Sequence, residues 1–146
     1  NGDEEDYIHP GEETVREDPP WSWTSETFND GTAGTVDVVK IDVTDTTHVL
    51  CPWMLAFSAR RLGIPLSPGY FGDALRYPFE EEGHPGISIF GEYRSCNQLT
   101  GWFEIHEIET DPAVEPPALV RFTLTFEQHC NGYPPALRGC VHYERP

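Results

Sequence analysis

Close-set metal-binding pairs are missing from this chain. It has four cysteines and six histidines but no C-x-x-C, no short H-x-H and no H-x-x-x-H. Zinc sites bring their ligands in such pairs, so the sequence gives no reason to expect a metal or other cofactor. Basic residues are also scarce, 9 against 25 acidic, for a formal net charge of −16. That field repels a phosphate backbone and an anionic membrane surface, which excludes nucleic acid as a partner. No apolar run reaches the roughly 20 residues of a membrane helix, so membrane insertion is not expected. Neither a G-x-S-x-G elbow nor a D-x-[DN]-x-[DN]-G calcium loop occurs. No N-x-[ST] sequon is present, which favours a bacterial origin over a glycosylating secretory pathway. No window carries a sustained 3.6-residue apolar period, and there is no internal repeat.

With no metal spacing to occupy them, Cys51, Cys96, Cys130 and Cys140 are best read as disulfide partners, which implies an oxidising compartment. Four cysteines allow three connectivities, and spacing does not choose among them. The chain opens at Asn1 without a charged-then-apolar leader. Together with the disulfides, this reads as a secreted or cell-surface chain whose signal segment has been removed.

The 146 residues suit one domain with its own core. Residues 1–20 read as a polar arm crowded with carboxylates and broken by Pro10, Pro19 and Pro20, with a short strand over 13–16. Residues 21–146 read as a single domain of strands separated by turn signals. Trp21 and Trp23 alternate with polar residues before the turn Asn29-Asp30-Gly31. Residues 35–43 are rich in β-branched side chains, and 48–57 form a nearly continuous apolar run. Shorter strands are expected at 70–77 and 86–93, and a last one at 136–143.

The clearest pair is 102–109 with 119–128, around a loop holding Pro112, Pro116 and Pro117. In its second strand Val120, Phe122, Leu124 and Phe126 take one face, and period 2 carries on to bring Cys130 inward. In the first strand Phe103 and Ile105 share a face, but Ile108 is out of phase. A bulge near His106–Glu107 would restore it. The pattern predicts an all-β fold, an antiparallel β-sandwich of about eight strands.

Two ordered groups of residues carry a resemblance. One is Tyr77-Pro78-Phe79, Pro85-Gly86-Ile87-Ser88 and Cys96-Asn97-Gln98-Leu99-Thr100-Gly101-Trp102-Phe103. The other is Phe126-Glu127-Gln128-His129-Cys130 with Pro135-Ala136-Leu137-Arg138-Gly139. With Asp6-Tyr7-Ile8 near the start, the set resembles a domain of mostly unassigned activity found in secreted and surface-anchored bacterial proteins. The resemblance implies an all-β domain with a Cys96–Cys130 bridge. Cys51 and Cys140 depart from that pattern, and their joint arrival is most simply a second bridge. No catalytic residue comes with the resemblance.

The functional expectations follow from these features. With 25 acidic residues a chance carboxylate pair means little, and Glu80-Glu81-Glu82 reads as a solvated loop. Glu104 with His106, and Glu127 with His129, each share a strand face, and paired strands would let the four approach one another. Surface charge pairing is the plainer reading of that set. The chain is therefore expected to be a non-catalytic extracellular module with a structural or surface-binding role. It would assemble into an oligomer or filament by adding its N-terminal arm to a neighbour's sheet edge. The alternatives are glycan binding through exposed aromatics, with Trp21, Trp23, Tyr70 and Phe71 as candidates, and inhibition of a basic enzyme by an acidic face. For Trp53 and Trp102, a place in the core is the favoured reading.

Overall fold

The structure, a computed structural model, describes residues 1–11, 13–17, 21–46 and 52–146. Among the described residues eight strands follow one another: β1 (Trp21–Phe28), β2 (Val38–Asp45), β3 (Trp53–Ser58), β4 (Gly69–Arg76), β5 (Gly86–Phe90), β6 (Leu99–Asp111), β7 (Ala118–Cys130) and β8 (Ala136–Glu144). A 3-10 turn, Arg60–Leu62, follows β3, capped by Gly63 in the left-handed region. The expected all-β fold of eight largely antiparallel strands is present. Its layers belong to one continuous sheet of order β1-β2-β3-β5-β4-β6-β7-β8 that curls over its own core.

The curl is visible in the packing. Phe57 on β3 meets Phe103 on β6 at 5.3 Å and Phe122 on β7 at 6.0 Å, edge to face across the interior. All three rings are fully buried. On β7 the burial alternates from Phe122 to Cys130, and the opposite face is wet. The β6–β7 register shifts between Ile105 and Glu107, which is the expected bulge. A second shift, between Glu109 and Thr110, brings Leu119 rather than Val120 into the core.

One pairing is parallel. β4 meets β5 only at Leu75↔Gly86 and Arg76↔Ile87, after which the two strands separate. The loop between them is anchored through Ser58 Oγ, which donates to the buried Glu80 Oε1 at 3.1 Å. Nearby, the Arg60 guanidinium forks onto the buried Asp37, both bonds at 3.0 Å.

Loop contacts rather than strand pairing link β1 to the β6–β7 hairpin. The turn after β1 is built by side chains: Asn29 Oδ1 accepts from Gly31 N at 3.1 Å, and Asp30 Oδ1 from Thr32 N at 2.9 Å. Glu115, in the β6–β7 loop, holds this turn by accepting from Asn29 Nδ2 and from Gly34 N. Thr27 Oγ1 also donates to Pro117 O at 2.7 Å. β1 and β8, the two edge strands, are not paired with each other.

The N-terminal residues differ from the expected solvated arm. Gly2 bridges to Leu137 on β8, and Asp6, Ile8 and His9 are buried. Asp6 Oδ2 accepts from the backbone of Ile8 at 3.1 Å and His9 at 2.7 Å, folding the segment into a tight turn. A Cβ at position 2 would lie 1.9 Å from the carbonyl oxygen of His9, so only glycine fits there. The acidic composition hid this packing because one isoleucine and one histidine supply it. Residues 13–17 form no strand, which corrects the expectation for 13–16.

Candidate functional site

The most developed candidate site lies where β1 and β8 fail to meet. A cleft of about 640 Å³ opens there. Its floor is apolar core, including Trp53, Leu55, Ile89 and Phe126, and its rims are β1 at Ser22 and Trp23, β8 from Arg138 to Glu144, and residues 13–17. The volume falls within the few hundred to about 1,000 Å³ common for ligand sites. Over the mouth, the Arg16 guanidinium lies 4.3 Å from the Trp53 ring and 5.2 Å from the Trp21 ring. His9 Nδ1 sits 2.9 Å from Glu92 Oε1, with its ring edge-on to Trp53.

The β8 rim is a sheet edge in two different states. Arg138 N donates to Asn1 O at 2.7 Å, Arg138 O accepts from Asn1 N at 2.8 Å, and Ala136 O accepts from Asp3 N at 2.9 Å. Residues 1–3 thus form a short added strand. In an antiparallel ladder the outward-facing residues alternate, so Cys140, His142 and Glu144 turn their backbone groups the same way as Ala136 and Arg138. Those groups carry no hydrogen bond among the described residues. Beside them Val15 stands 74 % exposed on the segment at the cleft mouth.

Side chains reinforce the filled half of the edge. Arg138 Nη1 donates to Asp3 Oδ1 at 2.7 Å and its Nε to Glu127 Oε2 at 2.6 Å. His129 Nε2 lies 3.1 Å from Glu127 Oε1. Burial alone would raise the Glu127 carboxyl, but the contacts with His129 and Arg138 outweigh it and hold the group below its ordinary value. The Asp3 carboxyl is lowered by the Ala136 backbone N–H and then by Arg138.

The aromatic candidates divide by face. Trp21 and Trp23 pack against the core. Phe71 is buried and stacked on Phe103 at 4.7 Å and 12°, so, contrary to the expectation, it offers no surface to a ligand. Tyr70 is 64 % exposed. It lies 5.7 Å from Trp102 at an interplanar angle of 35°. Trp53 is buried as expected, whereas Trp102 is half-buried on the outer face. Period 2 carries that signal, since Phe103 and Ile105 face inward.

The expected Cys96–Cys130 disulfide is formed, with both residues buried. Cys140 is exposed and has no disulfide partner among the described residues. Its place on β8 directs it away from the core, opposite Thr125. Cys51 lies outside the described residues. His106 Nε2 is 3.1 Å from Thr125 Oγ1 and His129 is tied to Glu127, so the two Glu–His pairs do not converge. No group of three His, Cys, Asp or Glu able to hold a metal ion occurs among the described residues. No helix among them is long and apolar enough to cross a membrane. Comparison of the chain with family models, with curated proteins and with solved structures gave no match.

Proposed function

We propose that this chain is a secreted, non-catalytic structural module that assembles copy to copy by strand addition at the β8 edge. One observation carries the reading. The outward groups of Ala136 and Arg138 already hold an added strand, while those of Cys140, His142 and Glu144, on the same edge, are open beside an apolar cleft. An added strand gains affinity from main-chain bonds and register from alternate side chains set in pockets.

The occupant is residues 13–17 of a second copy. That segment is short and polar around Val15, whose side chain is mostly exposed on its own domain and fits the apolar floor of a neighbour's cleft. Reciprocal exchange closes a dimer, and head-to-tail exchange builds a filament. The Cys96–Cys130 crosslink suits an extracellular setting.

Sedimentation velocity of the full chain at rising concentration tests the proposal. Self-association is expected, and it strengthens with added salt, because a net charge of −16 on each copy opposes contact until screened. Val15→Asp and His142→Pro are expected to abolish association without unfolding the domain. The proline removes an N–H that β7 does not use. A monomer at every concentration and salt level, or association indifferent to both substitutions, would overturn the proposal.

A further inference from the structure

The geometry points to a second binding site, on the outer face of β4 and β6. We infer that Tyr70 and Trp102 form a stacking platform for one ring of a neutral pyranose glycan. Two adjacent positions on β4 and β6 each supply two aromatics, and the pleat sends one pair to each face. Phe71 and Phe103 stack inside the core, while Tyr70 and Trp102 lie against each other outside it. The inner pair fills the interior; the outer pair fills nothing, and Tyr70 leaves most of its surface in water.

The strand beneath makes room for this ring. A Cβ at Gly72 would approach Tyr70 Cε1 to 2.8 Å, so the tyrosine lies along β4 over the bare backbone of that glycine. Gly72 has no positive φ, so its value here is space rather than conformation. The aromatic surface is thereby laid along the sheet instead of projecting from it. An aromatic face of this kind receives the C–H face of a sugar, as it would any flat apolar surface.

Polar groups border the platform at fixed register. Glu104 is directly across from Tyr70, and Glu127 directly across from Trp102. Thr125 faces Glu104 and is hydrogen-bonded to His106. Side chains directly opposite on one sheet face lie within about 5 Å at their Cβ atoms. The carboxylates therefore sit beside the rings as acceptors for sugar hydroxyls, and Glu127 is fixed in place by Arg138 and His129. The same carboxylates decide the ligand's charge. Arg138 is taken up by Glu127 and Asp3, so a uronic or sulfated sugar on the platform meets the Glu104 carboxylate with no guanidinium left over to pair with it.

Isothermal titration of the full chain with cellohexaose, chitohexaose, mannohexaose and oligogalacturonate tests the site. At least one neutral oligosaccharide is expected to bind and oligogalacturonate is not. Tyr70→Ala and Trp102→Ala should each weaken binding tenfold or more, and Tyr70→Phe should change it less than threefold. Gly72→Ala, which displaces the tyrosine without removing it, should weaken binding severalfold. Tyr133→Ala, at an exposed tyrosine in the β7–β8 loop, should leave it unchanged. Thermal unfolding of each variant reports whether its fold is intact. Failure of every neutral sugar to bind, preference for oligogalacturonate, or binding unmoved by both alanine substitutions in folded protein would overturn the inference.

Discussion

The side-chain amide of Gln128 on β7 is hydrogen-bonded to both backbone groups of Ile89 on β5: its Oε1 accepts from Ile89 N at 2.8 Å and its Nε2 donates to Ile89 O at 3.2 Å. The reason lies in the sheet. Along the outer edge of β5, Pro85 O is taken by Leu75 N and Ile87 O by Tyr77 N. β4 then diverges, and Ile89 would be left as a buried, half-unpaired residue. Gln128 stands in for the missing strand from across the core, and also reaches Cys96 Sγ at 3.4 Å.

Gln128→Leu should therefore destabilise the domain well beyond a change of volume. It leaves a buried N–H and a buried C=O without partners, at about 1–3 kcal/mol each. Urea unfolding should show a loss of about 2–6 kcal/mol with an unchanged m-value. Gln128→Glu keeps the acceptor for Ile89 N but loses the donor to Ile89 O. Its deficit should shrink at low pH, where a protonated carboxyl regains a donor. Equal stability of the leucine variant and the parent chain would contradict the role given to this pair.

Reducing the Cys96–Cys130 bridge should cost about 3–4 kcal/mol, from the loop entropy of a 34-residue separation. The domain should stay folded under reducing conditions, because its core is that of a full-sized domain. Thermal unfolding with and without reductant checks this. Complete unfolding on reduction would mean that the core is weaker than its packing indicates.

Acid should release the N-terminal strand. Asp3 and Glu127 both have carboxyls lowered in the folded state, so the stability they lend is complete above their unfolded values of about 4 and disappears as pH falls through the lowered folded ones. Arg138 stays charged throughout and loses both partners. Hydrogen exchange at the Arg138 amide, slow at neutral pH, should lose protection below about pH 4. Arg138→Met should lose much of that protection at neutral pH as well. Protection that stays constant from neutral to acid pH would argue that the backbone pairs alone hold Asn1–Asp3 in place.

Local features of this fold were legible in the sequence, and long-range ones were not. Alternation located the strands, the bulge after Ile105 and the inward turn of Cys130, because each depends on neighbours along the chain. The insertion of β5 between β3 and β4 depends on pairing between distant segments, which no local period encodes. Burial of Ile8 and His9 was hidden for the same reason: the groups around them, such as Trp53 and Glu92 beside His9, are distant in sequence. Trp102 could have been placed outside from the inward positions of Phe103 and Ile105. Its size argued for the core, and phase decided the matter. The cleft was not legible at all, since it is a gap between the first and last strands of the sheet.

Residue-resolved hydrogen exchange at Cys140, His142 and Glu144, followed from dilute to concentrated protein, tests the assembly claim most directly. In dilute solution these outward amides should exchange quickly, while Gly139, Val141 and Tyr143, bonded to β7, exchange slowly. On concentration the three fast amides should become protected together, and in the Val15→Asp variant they should stay fast. Amides that remain fast at every concentration, or that are already protected in the monomer, would contradict the account.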